Sequence, residues 1–127
     1  MDNKRKLNIG STILTVGYAG LLYGCFVIAN DADWNTANGR HLIAGALANF
    51  AFAFSQIMIA NFALRKGEKW AWWGSLIPTF AYGLTILTID STHVHPERMF
   101  ATIVPQIAGL IVFATGLTIS GFALFKK

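Results

Sequence analysis

Four long apolar runs divide this chain and constrain its fold more than any other feature. They cover about residues 7–29, 41–64, 70–89 and 99–125, and each reaches the roughly 20 residues that a helix needs to cross a bilayer. Of the 127 residues, 54% are hydrophobic and 13% are charged, whereas about a quarter of the residues in a soluble domain are charged. The sequence therefore predicts an all-α fold, an integral membrane four-helix bundle that forms a single transmembrane domain over residues 1–127.

The basic residues predict how this bundle is oriented. Eight of the ten Lys and Arg side chains lie in three groups at the ends of the runs: Lys4, Arg5 and Lys6; Arg65, Lys66 and Lys69; Lys126 and Lys127. Because basic residues in short loops are retained on the cytoplasmic side, both termini are predicted to be cytoplasmic. The loops 30–40 and 90–98 are then expected on the outer face of the cell membrane. Such juxtamembrane cations suit anionic lipid headgroups and argue against a nucleic-acid partner.

The turn between the second and third runs has the composition of a membrane anchor. Gly67 is expected to end the second helix with a positive φ. Lys66 and Lys69 suit the headgroup region, and the interface anchors are completed by three aromatic residues: Trp70, Trp72 and Trp73. An aromatic cage for a cation is the alternative interpretation of these rings.

In two stretches, His41-Leu42-Ile43-Ala44-Gly45 and Arg65-Lys66-Gly67-Glu68-Lys69-Trp70-Ala71-Trp72-Trp73, the chain resembles small uncharacterised four-helix membrane proteins of prokaryotes. The resemblance covers the second helix and the turn after it. It implies a four-helix bundle and carries over no catalytic residue.

Small residues on the first helix predict close helix packing. Gly10, Gly17 and Gly24 recur every seven residues, and Gly20 lies one turn before Gly24. In lipid, such residues allow two backbones to approach and gain van der Waals contact. Packing within the chain, against the second or fourth helix, is favoured over packing against another subunit, and the sequence leaves both open.

Polar residues on the second helix form the other candidate interface. Asn49 and Gln56 follow the helical spacing set by His41 and Gly45, so this face is expected to point into the bundle or toward a partner. Gln106 on the fourth helix is the expected counterpart, because an unpaired amide in hydrocarbon is costly. Hydrogen bonding between helices is favoured, and a polar conduit is the alternative. No Asp, Glu, Lys or Arg lies deep in any run, which disfavours coupled ion transport.

The two outer loops hold the residues that could bind a metal. His93-Val94-His95 is a His-x-His pair, and imidazole suits copper or zinc. In an extended segment both rings would point to one side, and nearby residues could complete the site: Asp90, His41, Asp31. Solvated loop residues and helix ends are the simpler interpretation of these side chains. No haem is expected, because no two histidines can face each other at one depth within the bundle.

The sequence favours a protein that is not catalytic on its own. The preferred function is an accessory or structural subunit of a larger membrane protein complex, with membrane lipids and other subunits as partners. An outer-face copper or zinc site, associated with a membrane oxidoreductase such as a copper monooxygenase, is the second hypothesis. A small-molecule or lipid carrier that works through Pro78, Asn49 and Gln56 is the third.

Overall fold

The protein is a bundle of four helices in the computed structural model, which describes residues 2–93 and 96–125, with side chains at 2–88 and 100–125. The helices are α1 (Asn3–Asp31), α2 (Ala37–Met58), α3 (Lys69–His93) and α4 (Pro96–Phe125). A π-helical turn (Ile59–Ala63) and a 3-10 turn (Leu64–Lys66) continue α2 without a break. The described residues contain no strand, so the predicted all-α, four-helix fold is confirmed.

Neighbouring helices run antiparallel. α1 packs between α2 and α4, and α3 packs on α4 and on the turns that end α2. The contacts between α1 and α4 show that these two helices are antiparallel. Gly10 lies beside Ser120, whereas Gly17, which is later in α1, lies beside Phe113, which is earlier in α4. Arg5 lies at the start of α1, Arg65 lies in the turn that ends α2, and Lys69 lies at the start of α3. These three cations are therefore at the same end of the bundle, which we call the basic end.

The helices are longer than the sequence predicted, because polar residues cap them beyond the apolar runs. The Asp2 carboxylate accepts a hydrogen bond from the Arg5 backbone N–H (2.9 Å), so α1 begins before the apolar run. Thr36 caps α2 in the same way through the Gly39 N–H (2.9 Å). The predicted loop 30–40 is thus reduced to a short segment, 32–36, between α1 and α2.

Gly67 ends the second helix as the sequence predicted. Its φ is 89°, in the left-handed region that favours glycine. Its N–H donates to the Leu64 carbonyl (2.9 Å) and the following Glu68 N–H donates to the Ala63 carbonyl (3.1 Å). These two bonds satisfy carbonyls at the helix end and turn the chain sharply toward α3.

Three helical segments are long and apolar enough to cross a membrane: Asn3–Asp31, Ala37–Lys66 and Phe100–Phe125. The part of α3 whose side chains are described does not meet the same criterion. It is rich in residues that lower mean hydropathy without adding charge, including Trp70, Gly74, Ser75 and Pro78. The four predicted apolar runs therefore form four helices, of which three are membrane spans by length and composition.

Large apolar side chains cover the outside of the bundle. Those at least 60% exposed are Val16, Tyr23, Phe26, Trp34, Leu47, Phe62, Ile77, Phe100 and Ile111. The buried set, by contrast, contains many small or polar residues, among them Ser11, Ala53, Ala60, Ser75 and Ser120. Water would penalise such an exterior, whereas lipid tails solvate it, so the surface agrees with a membrane-embedded bundle.

Candidate functional site

The centre of the bundle holds a chain of hydrogen bonds that joins three helices. The Tyr18 hydroxyl on α1 makes a short hydrogen bond with the Thr79 hydroxyl on α3, and it lies 3.5 Å from the Gln56 side-chain oxygen on α2. The Gln56 amide nitrogen donates to the Gly74 carbonyl of α3 (3.3 Å). Because a tyrosine hydroxyl has one proton, the consistent assignment is that Thr79 donates to Tyr18 and Tyr18 donates to Gln56.

Aromatic rings enclose this polar chain. Tyr18 is fully buried, and its ring centroid lies 4.6 Å from that of Phe113 on α4 and 6.2 Å from that of Phe52 on α2. Phe52 in turn stacks on Tyr82 of α3 at 5.1 Å. All four helices thus contribute to the surroundings of the Tyr18 hydroxyl, where hydrogen bonds are strengthened by the low local dielectric.

A second polar contact lies beside the π turn of α2. The Asn61 side-chain nitrogen donates to the Thr15 hydroxyl on α1 (2.8 Å) and to the Ile57 carbonyl one turn earlier (2.9 Å). Thr15 itself donates to the Ser11 carbonyl (2.8 Å). A π turn disturbs the regular ladder of backbone bonds. The amide of Asn61, which lies within that turn, binds a carbonyl of the preceding turn of α2 and joins this segment to α1.

Two buried serines lack a hydrogen-bond partner for their hydroxyl oxygens among the described residues, Ser11 and Ser75. Ser75 lies one helical turn before Thr79, on the α3 face that carries the central chain. Each unpaired buried hydroxyl costs about 1–3 kcal/mol. The centre is therefore a set of hydroxyl and amide groups, most of which are occupied by helix-to-helix bonds, and these neutral groups offer hydrogen bonding rather than acid–base chemistry.

The polar face predicted on α2 is only partly directed into the bundle. Gln56 is buried, 4% exposed, and Asn49 is half-buried, whereas His41 and Gly45 are exposed. The described partners of Gln56 are Tyr18 and Gly74, not the amide of Gln106, which is half-buried on α4. The spacing of polar residues along α2 could not predict these partners of Gln56, because they lie on α1 and α3.

The glycine stripe of α1 is divided between two environments. A Cβ atom at Gly10 would lie 2.7 Å from the Gly116 carbonyl oxygen, and one at Gly17 would lie 2.7 Å from the Phe113 ring. Among the residues that the structure describes, no neighbouring atom lies within 4 Å of the corresponding position at Gly20 or at Gly24. The first half of the stripe therefore packs against α4 within the chain, and the second half is open to the surroundings of the bundle.

The tryptophans of the basic turn do not share one role. Trp70 and Trp73 are 58% and 50% exposed, as headgroup contact requires. Trp72 instead packs on α4, where its indole N–H donates to the Leu117 carbonyl (2.7 Å) and its ring meets Phe125 edge-on at 5.3 Å. Lys66 is exposed, and the Lys69 ammonium lies 5.7 Å from the Phe125 ring centroid.

The described residues contain no group of three His, Cys, Asp or Glu side chains that could hold a metal ion. Asp31 and His41 are exposed, Asp31 at the end of α1 and His41 on α2. His93 is the last residue of α3, so its backbone is helical, whereas the His-x-His pair would place both rings on one side only in an extended segment. The side chains of Asp90 and His93, and the whole of His95, lie outside the described part of the chain.

Sequence reasoning missed Tyr18, Thr79 and Thr15 as contributors to the polar centre. A signal was available, because a hydroxyl in the middle of a membrane helix needs a partner. Threonine can nevertheless satisfy itself on its own helix, as Thr85 does by donating to the Ala81 carbonyl (2.7 Å). The sequence therefore could not tell which hydroxyls reach across to another helix.

Comparison of the chain with protein-family models, with curated proteins and with solved structures found no match. The described residues form a four-helix protein, and no family or relative supports the resemblance to small prokaryotic membrane proteins.

Proposed function

We propose that the protein is an accessory subunit that binds a larger membrane protein assembly through the outer surface of α1. The observation that carries this proposal is the open pair Gly20 and Gly24, a G-x-x-x-G spacing at which no atom of another helix, among the described residues, lies within 4 Å of an added Cβ. Glycine in a helix costs about 0.5–1 kcal/mol relative to alanine. A close contact with a partner helix offsets this cost, as the α4 backbone does for Gly10 and the Phe113 ring of α4 does for Gly17.

The residues around this pair support a helix as the partner. Val16 and Tyr23 lie on the same side of α1 at 64% and 71% exposure, and Phe26 is 68% exposed. Large side chains that flank a small-residue groove provide the two halves of a ridge-and-groove contact between helices. We define Val16, Gly20, Tyr23 and Gly24 as the open α1 face.

The hydrogen bonds of the interior amides also favour a structural role over a role as a carrier. The Gln56 amide, which a conduit would need for its solute, binds Tyr18 and Gly74 instead. The Asn61 amide binds Thr15 and the Ile57 carbonyl. These amides fasten helices to each other, and transport past them would require those bonds to break.

The test compares two matched substitutions on one helix. Gly24→Leu adds a side chain to the open α1 face, whereas Gly17→Leu drives a side chain into Phe113. We expect Gly24→Leu to leave the bundle folded and to release it from its assembly. Gly17→Leu is expected to destabilise the bundle itself, because overpacking costs about 1–3 kcal/mol.

The measurement is gentle extraction from native membranes, followed by sizing and mass spectrometry of what remains bound. Helix content and thermal unfolding of each purified variant show whether the bundle is intact. A wild-type protein that runs alone after gentle extraction contradicts the proposal. An assembly that survives both Gly20→Leu and Gly24→Leu contradicts the assignment of this face.

A further inference from the structure

We propose that a groove between α3 and α4 at the basic end binds one anionic phospholipid, with an acyl chain in the groove and the phosphate beside Lys69. This site is separate from the open α1 face and does not depend on a protein partner. The groove has a volume of about 520 Å³ and is lined by Trp72, Thr118, Gly121, Phe122 and Phe125.

The lining of the groove suits a hydrocarbon chain. Phe122 and Phe125 are 56% and 45% exposed, so their rings present apolar surface to the membrane. The indole N–H of Trp72, the strongest donor in the lining, is already bound to the Leu117 carbonyl at 2.7 Å. An occupant therefore gains apolar contact along most of the groove and displaces no hydrogen bond of the indole.

Gly121 shapes the floor of the groove. A Cβ atom there would lie 3.1 Å from the Trp72 indole nitrogen, so a side chain at this position would require the ring to shift by a few tenths of an ångström from the α4 backbone. Glycine therefore lets the indole pack closely on α4. Phe122 and Phe125 complete the apolar lining of the groove.

Charge at the mouth of the groove selects the headgroup. The Lys69 ammonium lies 5.7 Å from the Phe125 ring centroid, and no carboxylate pairs with it among the described residues. Arg65 and Lys66 add two cations nearby in the chain, and Glu68 adds one anion, so the segment 65–69 is positive overall. Basic groups beside an apolar groove between helices match an anionic lipid better than a zwitterionic one.

Cation–π contact fixes the position of the charge. A lysine held over an aromatic face loses part of its freedom before any ligand binds. The ammonium is then available beside Phe125, where the groove meets the basic end. The apolar groove would thus contact the acyl chain of the phospholipid, and the adjacent ammonium would contact its phosphate.

The test uses brominated lipids, which quench tryptophan fluorescence on contact. The full-length protein carries Trp34→Phe and Trp70→Phe, both exposed positions, so that Trp72 and Trp73 report. It is placed in phosphatidylcholine nanodiscs with increasing fractions of dibrominated phosphatidylglycerol or of phosphatidylcholine with the same acyl chains. We expect phosphatidylglycerol to quench at lower fractions, and Lys69→Gln to weaken this preference about fivefold, the effect of one lysine near an anionic surface.

Three variants show whether the preference belongs to the groove. Lys69→Arg should retain it, Lys66→Gln should weaken it less than Lys69→Gln does, and Thr118→Phe, which places a ring in the groove, should remove the preference for phosphatidylglycerol. Equal quenching by the two lipids would overturn the proposal. So would an equal loss of preference in Lys66→Gln and Lys69→Gln, because that result would mean diffuse attraction to the basic end. Circular dichroism confirms that each variant remains helical.

Discussion

A single methyl group tests the close contact between α1 and α4. In Gly10→Ala the new Cβ would lie 2.7 Å from the Gly116 carbonyl oxygen and 3.1 Å from the Ser120 backbone nitrogen, and it would also overlap the Ser120 hydroxyl. The hydroxyl can rotate, but the two backbone atoms cannot yield without moving a helix. Gly10→Ala is therefore expected to force α1 and α4 apart.

The magnitude follows from a comparison with Gly20→Ala on the same helix. Both substitutions gain the same improvement in helix propensity, about 0.5–1 kcal/mol. Only Gly10→Ala meets other atoms, because nothing lies within 4 Å of the added methyl at Gly20. The propensity gain cancels between the two variants, so the difference in their free energies of unfolding is the cost of overpacking, about 1–3 kcal/mol.

Unfolding in mixed micelles with an increasing fraction of denaturing detergent, followed by circular dichroism, measures this difference. The expected result is a lower midpoint for Gly10→Ala and an unchanged or higher midpoint for Gly20→Ala, with similar slopes. Equal midpoints would refute the reasoning, because they would mean that α1 and α4 are not held at the distance described. A lower midpoint for Gly20→Ala alone would place the tight contact at the Gly20 side of α1.

Three further experiments test the polar centre, the α3–α4 contact and the metal hypothesis. Tyr18→Phe and Thr79→Val should show a double-mutant coupling of about 0.6 kcal/mol, the average for helix-to-helix hydrogen bonds in a membrane; strict additivity would mean that the hydroxyls do not bond. Trp72→Phe removes the indole donor but keeps an aromatic ring, and should lower the free energy of unfolding by about 1 kcal/mol; an unchanged value would contradict the bond to α4. If the outer loops hold copper or zinc, His93→Ala with His95→Ala should abolish stoichiometric metal in elemental analysis of the purified protein or its parent complex; unchanged metal would exclude these ligands.

The helices could be predicted because each depends on a local property of the chain. An apolar run of sufficient length, a glycine at 67 and the basic turn are all visible in sequence, and the structure forms helices where the runs lie. The ends of the helices were harder to predict from the sequence, because capping by Asp2 and Thr36 extends α1 and α2 into polar sequence. The membrane side on which each end lies remains a prediction from the positive charges.

The contacts between helices could not be predicted, because they depend on rotation and register. Gly17 and Gly24 are equivalent in spacing, yet an added Cβ would meet Phe113 at Gly17 and no described atom within 4 Å at Gly24. Trp72 and Trp73 are neighbours in one aromatic cluster, yet among the described bonds it is Trp72 that donates to α4. The rotation and register of each helix decide these outcomes, and no local sequence pattern specifies them.

The small, partly polar interior has a thermodynamic consequence. The large heat capacity change of a soluble domain arises because unfolding exposes apolar surface to water. Here the buried surface includes Ala53, Ala60 and Ala71, and helices that separate within a bilayer exchange contacts with each other for contacts with lipid. The free energy of separation should therefore vary almost linearly with temperature, and the bundle should lack the cold-induced loss of stability that hydration imposes on proteins in water.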